Sequence, residues 1–262
     1  MARLLSLVSR KKSGKRPSTN ESIMKLDEKV VLVTGAGTGV GAATARLLAS
    51  KGCRVTVNYR SSQSEAESVV ESIEEAGGEA FSCQADVAED DEARALVKAT
   101  RDRFGQLDAL VNNAGTTAFI PFDDLDAVTD DVWRRLFQVN VVGAFHCARA
   151  AASVMRETCG EDGAEIVNVG SIAGLKATGS CIPYAASKAA LEALVRIYAA
   201  EVQKTAVRAN LVSPGTLATR LRAQAFPGED PDELARPESI TDVFVELASP
   251  DCQRNGEIVS PG

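Results

Sequence analysis

A glycine-rich segment, Thr34-Gly35-Ala36-Gly37-Thr38-Gly39-Val40-Gly41, follows the short apolar run 29–34 and precedes a helical pattern that extends to about Lys51. A segment at such a strand–helix junction is typical of a phosphate-binding turn. Glycines there let the backbone approach a pyrophosphate closely, and the free N–H groups and dipole of the helix attract negative charge. A tight strand-to-helix turn without a ligand would use the same glycines, so the segment alone leaves both interpretations open.

Strand and helix patterns alternate along the rest of the chain. Short runs rich in Val and Ala predict six further strands, at 54–58, 79–84, 109–112, 165–169, 207–212 and 257–259. Helical patterns lie between them, at 63–76, 90–104, 129–157, 184–202 and 238–248. This alternation indicates parallel βαβ units. We therefore expect residues 26–262 to form a single α/β domain, a doubly wound Rossmann-type fold whose parallel sheet has about seven strands and helices on both faces.

Composition restricts the class of protein. With 262 residues, 45% hydrophobic and 25% charged, the chain can bury a sizeable core, which excludes disordered, collagen-like and small disulfide-framework proteins. No apolar run approaches the roughly 20 residues that a bilayer requires, so we expect no membrane partner. The six cysteines form no C-x-x-C pair, and the chain has one histidine. We therefore expect reduced thiols, a cytoplasmic location and no metal site.

Charge is distributed unevenly along the chain. Residues 1–25 hold seven Lys/Arg and one acidic residue, Glu21, which leaves 22 of the 29 basic and 35 of the 36 acidic residues in the remainder. An acidic body argues against nucleic acid as a partner, because phosphate backbones require a concentrated basic surface. The basic tail 1–25 is either a disordered extension ahead of a second start at Met24 or a transit peptide, which would make the location mitochondrial or plastid.

Tyr184 and Lys188 form a pattern suited to acid–base chemistry. They lie four positions apart on one face of a predicted helix, and Ser171 lies at the end of the preceding predicted strand. A phenol has a pKa of about 10, and a neighbouring ammonium favours its ionised form. The three side chains therefore form a candidate proton-transfer group, although a Tyr-x-x-x-Lys pair by itself is also common on helix surfaces.

Asn140 lies in the predicted helix 129–157, on the same face as Trp133, Leu136, Phe137 and Ala144. This apolar face predicts that Asn140 is buried, and a buried amide needs hydrogen-bond partners. It is either part of the reacting group or a core asparagine that satisfies backbone groups.

Three further motifs follow predicted strands: Asp86-Val87 after the third, Asn112-Asn113-Ala114-Gly115 after the fourth and Pro214-Gly215 after the sixth. Together with the T-G-x-x-x-G-x-G spacing and the Tyr-x-x-x-Lys pair, they resemble the short-chain dehydrogenase/reductase family, of the non-extended type. The resemblance extends from about residue 26 to the C-terminus. It implies an NAD(P)-dependent oxidoreductase that transfers hydride between nicotinamide and a small-molecule ketone or secondary alcohol.

The resemblance also implies roles for individual residues. Tyr184 would exchange the hydroxyl proton, Lys188 would lower the pKa of Tyr184 and hold the nicotinamide ribose, and Ser171 would hydrogen-bond the substrate carbonyl. Asn140 would be the fourth catalytic residue and help to hold a proton-relay water. The implied cofactor contacts, besides Tyr184 and Lys188, are Gly35, Gly37, Thr38, Gly39, Val40, Gly41, Asp86, Val87, Asn113, Ala114, Gly115, Pro214, Gly215 and Thr216.

The end of the second predicted strand indicates which cofactor is used. An acidic residue there would bind the ribose of NAD, whereas a basic residue would meet the 2′-phosphate of NADP. The sequence is Val57-Asn58-Tyr59-Arg60-Ser61-Ser62, with a guanidinium and no acid. We expect Arg60, with the hydroxyl of Ser61 or Ser62, to bind this phosphate, so that NADPH is favoured over NADH. A solvated surface arginine is the alternative for Arg60.

The stretches 57–62 and 207–210 resemble the 3-oxoacyl-[acyl-carrier-protein] reductase branch of the family. This makes a carrier-bound 3-oxoacyl thioester the best single substrate hypothesis, and the family resemblance implies a homodimer or homotetramer. The segment 216–235, where the family has a helical lid, is short and contains Pro and Gly breakers. The alternative function is therefore a dinucleotide-binding regulatory protein with little or no turnover.

Overall fold

The computed structural model describes residues 26–160, 163–176 and 178–261, and the predictions for the tail 1–25 lie outside them. The strands within this part are β1 (Val30–Val33), β2 (Arg54–Tyr59), β3 (Glu79–Gln84), β4 (Ala109–Asn112), β5 (Ala164–Val169), β6 (Val207–Val212) and β7 (Ile258–Val259). They form one sheet in the order β3-β2-β1-β4-β5-β6-β7, and every neighbouring pair is parallel. The predicted Rossmann-type fold is confirmed.

Helices cover both faces of this sheet. They are α1 (Gly39–Ser50), α2 (Gln63–Glu75), α3 (Asp90–Phe104), α4 (Asp130–Phe137), α5 (Ala144–Thr158), α6 (Ile172–Lys176), α7 (Ile182–Val202), α8 (Arg220–Ala225) and α9 (Asp242–Ala248). A π-helical segment, Gln138–Gly143, joins α4 to α5, and 3-10 helices lie at Leu125–Ala127, Pro231–Glu233 and Pro237–Ile240. In the described residues, no helix is both long and apolar enough to cross a bilayer.

Strand β1 shows how the sheet is held between its helices. Val31 and Val33 pack into a core cluster with residues of α1, α2 and α9, while Val30 and Leu32 pack into a second cluster with residues of α3 and α5. Successive side chains of a strand point to opposite faces of the sheet. A strand that is covered on both faces must therefore be apolar at every position, which explains the uninterrupted valine and leucine of β1.

The interior strand β1 positions the site. Strand β1 pairs with β2 on one side and with β4 on the other, so the connections that follow β1 and β4 leave in opposite directions. A crevice opens between these connections at the carboxyl ends of the strands, where doubly wound folds bind their ligands.

The predicted continuous helix 129–157 is wrong in one respect, because the π-helical segment Gln138–Gly143 interrupts it. Asn140 lies in this segment, and Gly143 packs so closely on Val87 that a Cβ at this glycine would lie 3.0 Å from the Val87 carbonyl oxygen. The wider turn is a local adjustment to these neighbours, and such turns are frequent at functional sites. Hydrophobic periodicity follows the regular helix, so it does not reveal the interruption.

Two other helix boundaries differ from the prediction. Helix α7 begins at Ile182 instead of Tyr184, because Pro183 is well suited to the first turn of a helix, where its missing N–H costs nothing. The predicted helix 238–248 is a 3-10 turn, Pro237–Ile240, followed by α9. Neither difference moves a predicted site residue out of its element.

Candidate active site

A cleft of about 960 Å³ lies at the carboxyl ends of the central strands. Most of the residues predicted to bind the cofactor or to react line it: Gly35, Thr38, Gly39, Val40, Ser61, Asn113, Gly115, Ser171, Tyr184, Lys188, Pro214, Gly215 and Thr216. Of the described residues, those predicted for the site that lie outside this lining are Gly37, Gly41, Arg60, Asp86, Val87, Ala114 and Asn140. The cleft therefore brings the glycine-rich turn and the candidate reacting side chains into one site.

The glycine-rich turn, residues 34–41, offers its backbone to the cleft. Gly35 and Gly39 have φ angles of 60° and 58°, a conformation that favours glycine, and a Cβ at Gly35 would lie 2.9 Å from the Ala114 Cα. Within the described residues, the side chain of Thr38 caps none of the first N–H groups of α1. These N–H groups stay available at the positive end of the helix dipole, so the turn fits the pyrophosphate of a dinucleotide.

Asn113 and Thr34 hold this turn against the loop after β4. The Asn113 Nδ2 donates to the carbonyl oxygens of Thr34 at 2.9 Å and Gly35 at 3.0 Å. The N–H groups of Asn113 and Ala114 both donate to the Thr34 Oγ1 at 3.0 Å. A Cβ at Gly41 would lie 2.7 Å from the Gly35 carbonyl oxygen, so the following helix packs against the turn only with glycine at this position.

Asn58, in β2, is a supporting residue of the site that the sequence analysis misses. Its Oδ1 accepts from the Gly35 N–H at 3.1 Å, and its Nδ2 donates to the carbonyl oxygens of Cys83 at 3.2 Å and Ala85 at 3.1 Å. It therefore fixes the start of the glycine-rich turn to the end of β3. The available signal is an asparagine within a buried strand, since a buried amide requires partners.

Ser171, Tyr184 and Lys188 meet in the same cleft. Ser171 follows β5, while Tyr184 and Lys188 lie in the first two turns of α7. The Ser171 side chain lies close enough to the Tyr184 phenol to lower its pKa, and the Ser171 Oγ also accepts from the Ala173 N–H at 3.2 Å. The Lys188 Nζ lies 6.0 Å from the centre of the Tyr184 ring and donates to the Val169 carbonyl oxygen at 2.8 Å. The arrangement places two hydroxyl donors together, with a cation behind them.

Burial is the largest cause of the pKa shifts of Tyr184 and Lys188. It raises the pKa of the Tyr184 phenol above its usual 10.0, while the hydrogen bond to Ser171 and the charge of Arg222 act in the opposite direction. Burial also lowers the pKa of Lys188 to about 8. Burial is the largest effect on the phenol, and the lowering of its pKa by Lys188 stays a prediction. The phenol therefore keeps its proton at neutral pH and is suited to donate it.

Asn140 is buried and hydrogen-bonds to two neighbouring residues. Its Oδ1 accepts from the Thr116 N–H at 2.8 Å, and its Nδ2 donates to the Thr116 carbonyl oxygen and to the Ser187 Oγ, each at 3.0 Å. The Ser187 hydroxyl in turn donates to the Tyr184 carbonyl oxygen at 2.8 Å. Asn140 therefore ties the loop after β4 to the helix that carries Tyr184, and Ser187 is a further supporting residue that the sequence did not indicate.

Arg60 lies at the end of β2 but is engaged away from the cleft. Its Nη1 lies 3.7 Å from the Asp86 Oδ2. In the described part of the chain, Ser61 and Ser62 line the cleft and Arg60 does not. The structure thus pairs the predicted phosphate ligand with Asp86, the residue predicted to lie at the adenine.

The segment after Pro214-Gly215 forms a short lid over the cleft. Its helix, α8, has six residues and is followed by the 3-10 helix Pro231–Glu233. Arg222 lines the cleft, donates from Nε to the Glu229 Oε2 at 2.7 Å and lies over the Phe226 ring, with Cζ 3.6 Å from its centre. These contacts join side chains four and seven positions apart in an irregular segment, so no regular periodicity in the sequence indicates them.

Burial also affects the cysteines of the chain. All six cysteines are free, and burial raises the pKa values of Cys53 and Cys147 to about 12. Cys181, at the start of α7, is buried beside Tyr184. Among the described residues, no group of three or more His, Cys, Asp or Glu side chains is placed to hold a metal ion.

The chain is similar in sequence to known dehydrogenases and reductases. A family model described as short chain dehydrogenase matches residues 29–230. The chain is 38% identical over 194 residues to a 3-oxoacyl-[acyl-carrier-protein] reductase from Synechocystis, a match that covers 74% of this chain and 76% of that protein.

Solved structures of similar fold include proteins with bound dinucleotides. One is a short-chain dehydrogenase from Burkholderia cenocepacia in complex with NADP, with a TM-score of 0.81, 30% identity and coverage of 90% of this chain and 97% of that chain. Another is a 7α-hydroxysteroid dehydrogenase complexed with NADH and 7-oxo glycochenodeoxycholic acid, with a TM-score of 0.82, 30% identity and coverage of 92% and 95%.

These matches and the site together define the class of protein. The chain belongs to the short-chain dehydrogenase/reductase family, whose members bind NAD(P) and act on small molecules. It is an oxidoreductase of alcohol and carbonyl groups.

Proposed function

We propose that this protein is an NADPH-preferring reductase that converts a ketone into a secondary alcohol, with a 3-oxoacyl thioester as the best single substrate. One observation carries the proposal: the glycine-rich turn and the neighbouring side chains of Ser171 and Tyr184 line the same cleft. The turn suits a dinucleotide and the two hydroxyls suit a carbonyl oxygen. Dinucleotide binding alone requires neither hydroxyl, so this pairing favours turnover over a purely regulatory role.

The chain's own groups act on the carbonyl oxygen of the substrate. The Ser171 hydroxyl and the Tyr184 phenol donate hydrogen bonds to it, which stabilises the negative charge that develops there. Bound NADPH supplies the hydride to the carbonyl carbon. The phenol transfers its proton to the oxygen, and the raised pKa of Tyr184 keeps that proton present at neutral pH. Oxidation of the alcohol uses the same groups in reverse.

The remaining predicted residues hold the cofactor or support those that do. The backbone of residues 35–41 and of 113–115 and 214–216 receives the dinucleotide, Lys188 holds the nicotinamide ribose, and Asp86 and Val87 lie at the adenine. Asn140 helps to hold a proton-relay water. Gly37 and Gly41 contribute through close packing of the turn, since a Cβ at Gly37 would lie 3.0 Å from the Ser62 Oγ.

The preference for NADPH has two sources of support. Ser61 and Ser62 line the cleft at the end of β2, where they can donate to a 2′-phosphate. The stretch 57–62 contains no acidic residue that would repel this phosphate. Arg60 can bind this phosphate only when its guanidinium leaves the Asp86 carboxylate.

The thioester proposal rests on similarity to the Synechocystis reductase and on the stretches 57–62 and 207–210. The cleft lining includes the apolar side chains of Phe122, Leu221 and Phe226. An apolar wall of this kind suits an acyl chain. The homodimer or homotetramer, the cytoplasmic location and the carrier-protein partner stay predictions. Residues 26–262 are proposed as the oxidoreductase domain.

Nicotinamide absorbance provides the first test. Purified protein is assayed with NADPH and then NADH against acetoacetyl thioesters and simple ketones, and we expect turnover that is faster with NADPH. Tyr184→Phe should lower kcat at least about 100-fold while NADPH affinity stays within about twofold, because the variant lacks only the proton donor. Near-normal turnover of this variant would remove Tyr184 from the mechanism.

Tyr198→Phe is the matched control for this test. Tyr198 lies on the same helix, and its hydroxyl donates to the Ala148 carbonyl oxygen at 3.0 Å, away from the cleft lining that the described residues form. Its turnover should stay within about twofold of the wild type. Tight NADPH binding by the wild type with no turnover of any substrate would instead favour the regulatory function.

A further inference from the structure

The lid carries an arginine above the glycine-rich turn. Thr219 precedes helix α8, and its Cγ2 lies 3.4 Å from the position of a Cβ on Gly39, the first residue of α1. Arg220 is the next residue, the first of α8, and it lines the cleft. Its side chain is 63% exposed, so the guanidinium lies at the mouth of the cleft and not in the core.

This arginine links the lid to the end of β2. The Arg220 Nη1 donates to the Glu65 Oε1 at 3.1 Å. Glu65 lies in the first turn of α2, three residues after Ser62, and Ser62 also lines the cleft. The Ser62 Oγ lies 3.0 Å from the position of a Cβ on Gly37 in the glycine-rich turn. The guanidinium therefore lies between the lid and the two regions of the site that suit phosphate groups.

Arg60, the arginine that the sequence predicts for this end of the cleft, is paired with an acidic residue outside the cleft lining that the described residues form. Arg60 pairs with Asp86 and, among the described residues, is not part of the cleft lining, although its position in the sequence predicts contact with the 2′-phosphate. Arg220 follows Arg60 by 160 positions in the chain and lines the cleft together with Ser61 and Ser62. The fold thus brings an arginine to this end of the cleft from a segment that the sequence places far away.

We infer that Arg220 binds a phosphate group of the dinucleotide and that Glu65 is its partner when no phosphate is bound. This inference rests on the proposed function. A phosphate accepts two parallel hydrogen bonds from a guanidinium, and it carries at least as much negative charge as a carboxylate. The existing ion pair is exposed, and exposed pairs contribute little to stability, so the exchange of Glu65 for phosphate costs little.

Binding in this way couples the cofactor to the lid. Arg220 and Arg222 both belong to α8, and Arg222 lines the substrate half of the cleft over Phe226. When a phosphate holds Arg220, it also holds the helix that covers the substrate. Two phosphate sources share this chemistry, the 2′-phosphate of NADP and the pyrophosphate common to NAD and NADP.

The test is calorimetric titration of the full chain with NADPH and with NADH, which needs no turnover. Arg220→Ala should weaken NADPH binding at least tenfold, and Arg220→Lys should weaken it less because the charge is kept. If NADH binding is unchanged, Arg220 meets the 2′-phosphate; if both weaken equally, it meets the pyrophosphate. Either result supports the inference.

Arg103→Ala is the matched control, since Arg103 is also an exposed arginine paired with a glutamate, Glu79, and neither residue belongs to the cleft lining that the described residues form. We expect its NADPH affinity to stay within twofold of the wild type. Wild-type affinity in Arg220→Ala, or an equal loss in both alanine variants, would overturn the role of Arg220 and leave the proposed function intact. A wild type that binds neither dinucleotide would overturn both.

Discussion

Lys188 shows how strongly burial alters a single side chain. Its ammonium is surrounded by protein, donates to the Val169 carbonyl oxygen and has its pKa lowered to about 8. The same burial raises the pKa of Tyr184. At neutral pH the site therefore holds a protonated phenol beside a cation that is costly to bury, an arrangement that favours proton donation at the expense of stability.

Lys188→Met should stabilise the fold at pH 7 by about 2 kcal/mol, because it removes the ionised group and keeps most of the side-chain volume. The lowered pKa means that, between pH 8 and 10.5, the folded wild type releases a proton that the unfolded chain retains. Wild-type stability therefore rises with pH over this range, and the advantage of the variant should shrink. Urea unfolding at pH 7, 8.5 and 10 measures both effects.

Lys204→Met serves as the control, since Lys204 is exposed. Its unfolding free energy should stay within about 0.5 kcal/mol of the wild type at each pH. A stability difference for Lys188→Met that does not vary with pH would show that the pKa of this lysine is not lowered by burial.

At the scale of elements, the site depends on how closely the glycine-rich turn packs against the loop after β4. Asn113 donates to the backbone of the turn, while Thr34 accepts from that loop. Gly41 lets helix α1 approach the same atoms. The turn therefore keeps its shape through contacts on both sides, and its N–H groups need no rearrangement to receive a phosphate.

Gly41→Ala should disrupt this packing, since its Cβ would lie 2.7 Å from the Gly35 carbonyl oxygen. We expect a loss of about 1–3 kcal/mol in unfolding free energy and at least tenfold weaker NADPH binding, because the backbone must shift. Thermal unfolding and calorimetry measure the two effects. In the described structure no atom lies within 4 Å of a Cβ at Gly228, so Gly228→Ala is the control, and equal losses in both variants would contradict this account.

At the scale of the whole molecule, the residues that the structure describes form one sheet with a large core cluster on each face. The strand order places the turns after β1, β4, β5 and β6 at one edge of the sheet, and this edge forms the cleft. The cleft is therefore a property of the domain as a whole and not of any single motif.

A chain that begins at Met24 should fold with an unchanged melting temperature and bind NADPH with an affinity within about twofold of the full chain, because the described residues from Leu26 onward already form a sheet, two large core clusters and the cleft. Calorimetric melting and NADPH titration of the two chains provide the comparison. A clear fall in melting temperature would show that the tail contributes to the folded domain.

The amino-acid sequence by itself determined the fold class, the family and a set of site residues, most of which line the cleft. It does so because strand and helix periodicity, glycine-rich turns and the Tyr184 and Lys188 spacing are local patterns, and local patterns follow from backbone geometry. Only the tertiary structure decided which partners these side chains find. It paired Arg60 with Asp86, bonded Asn58 to Gly35 and brought Arg220 to Glu65. Such contacts depend on the packing of segments far apart in the chain, and the burial that shifts the pKa values of Tyr184 and Lys188 exists only once those segments are packed.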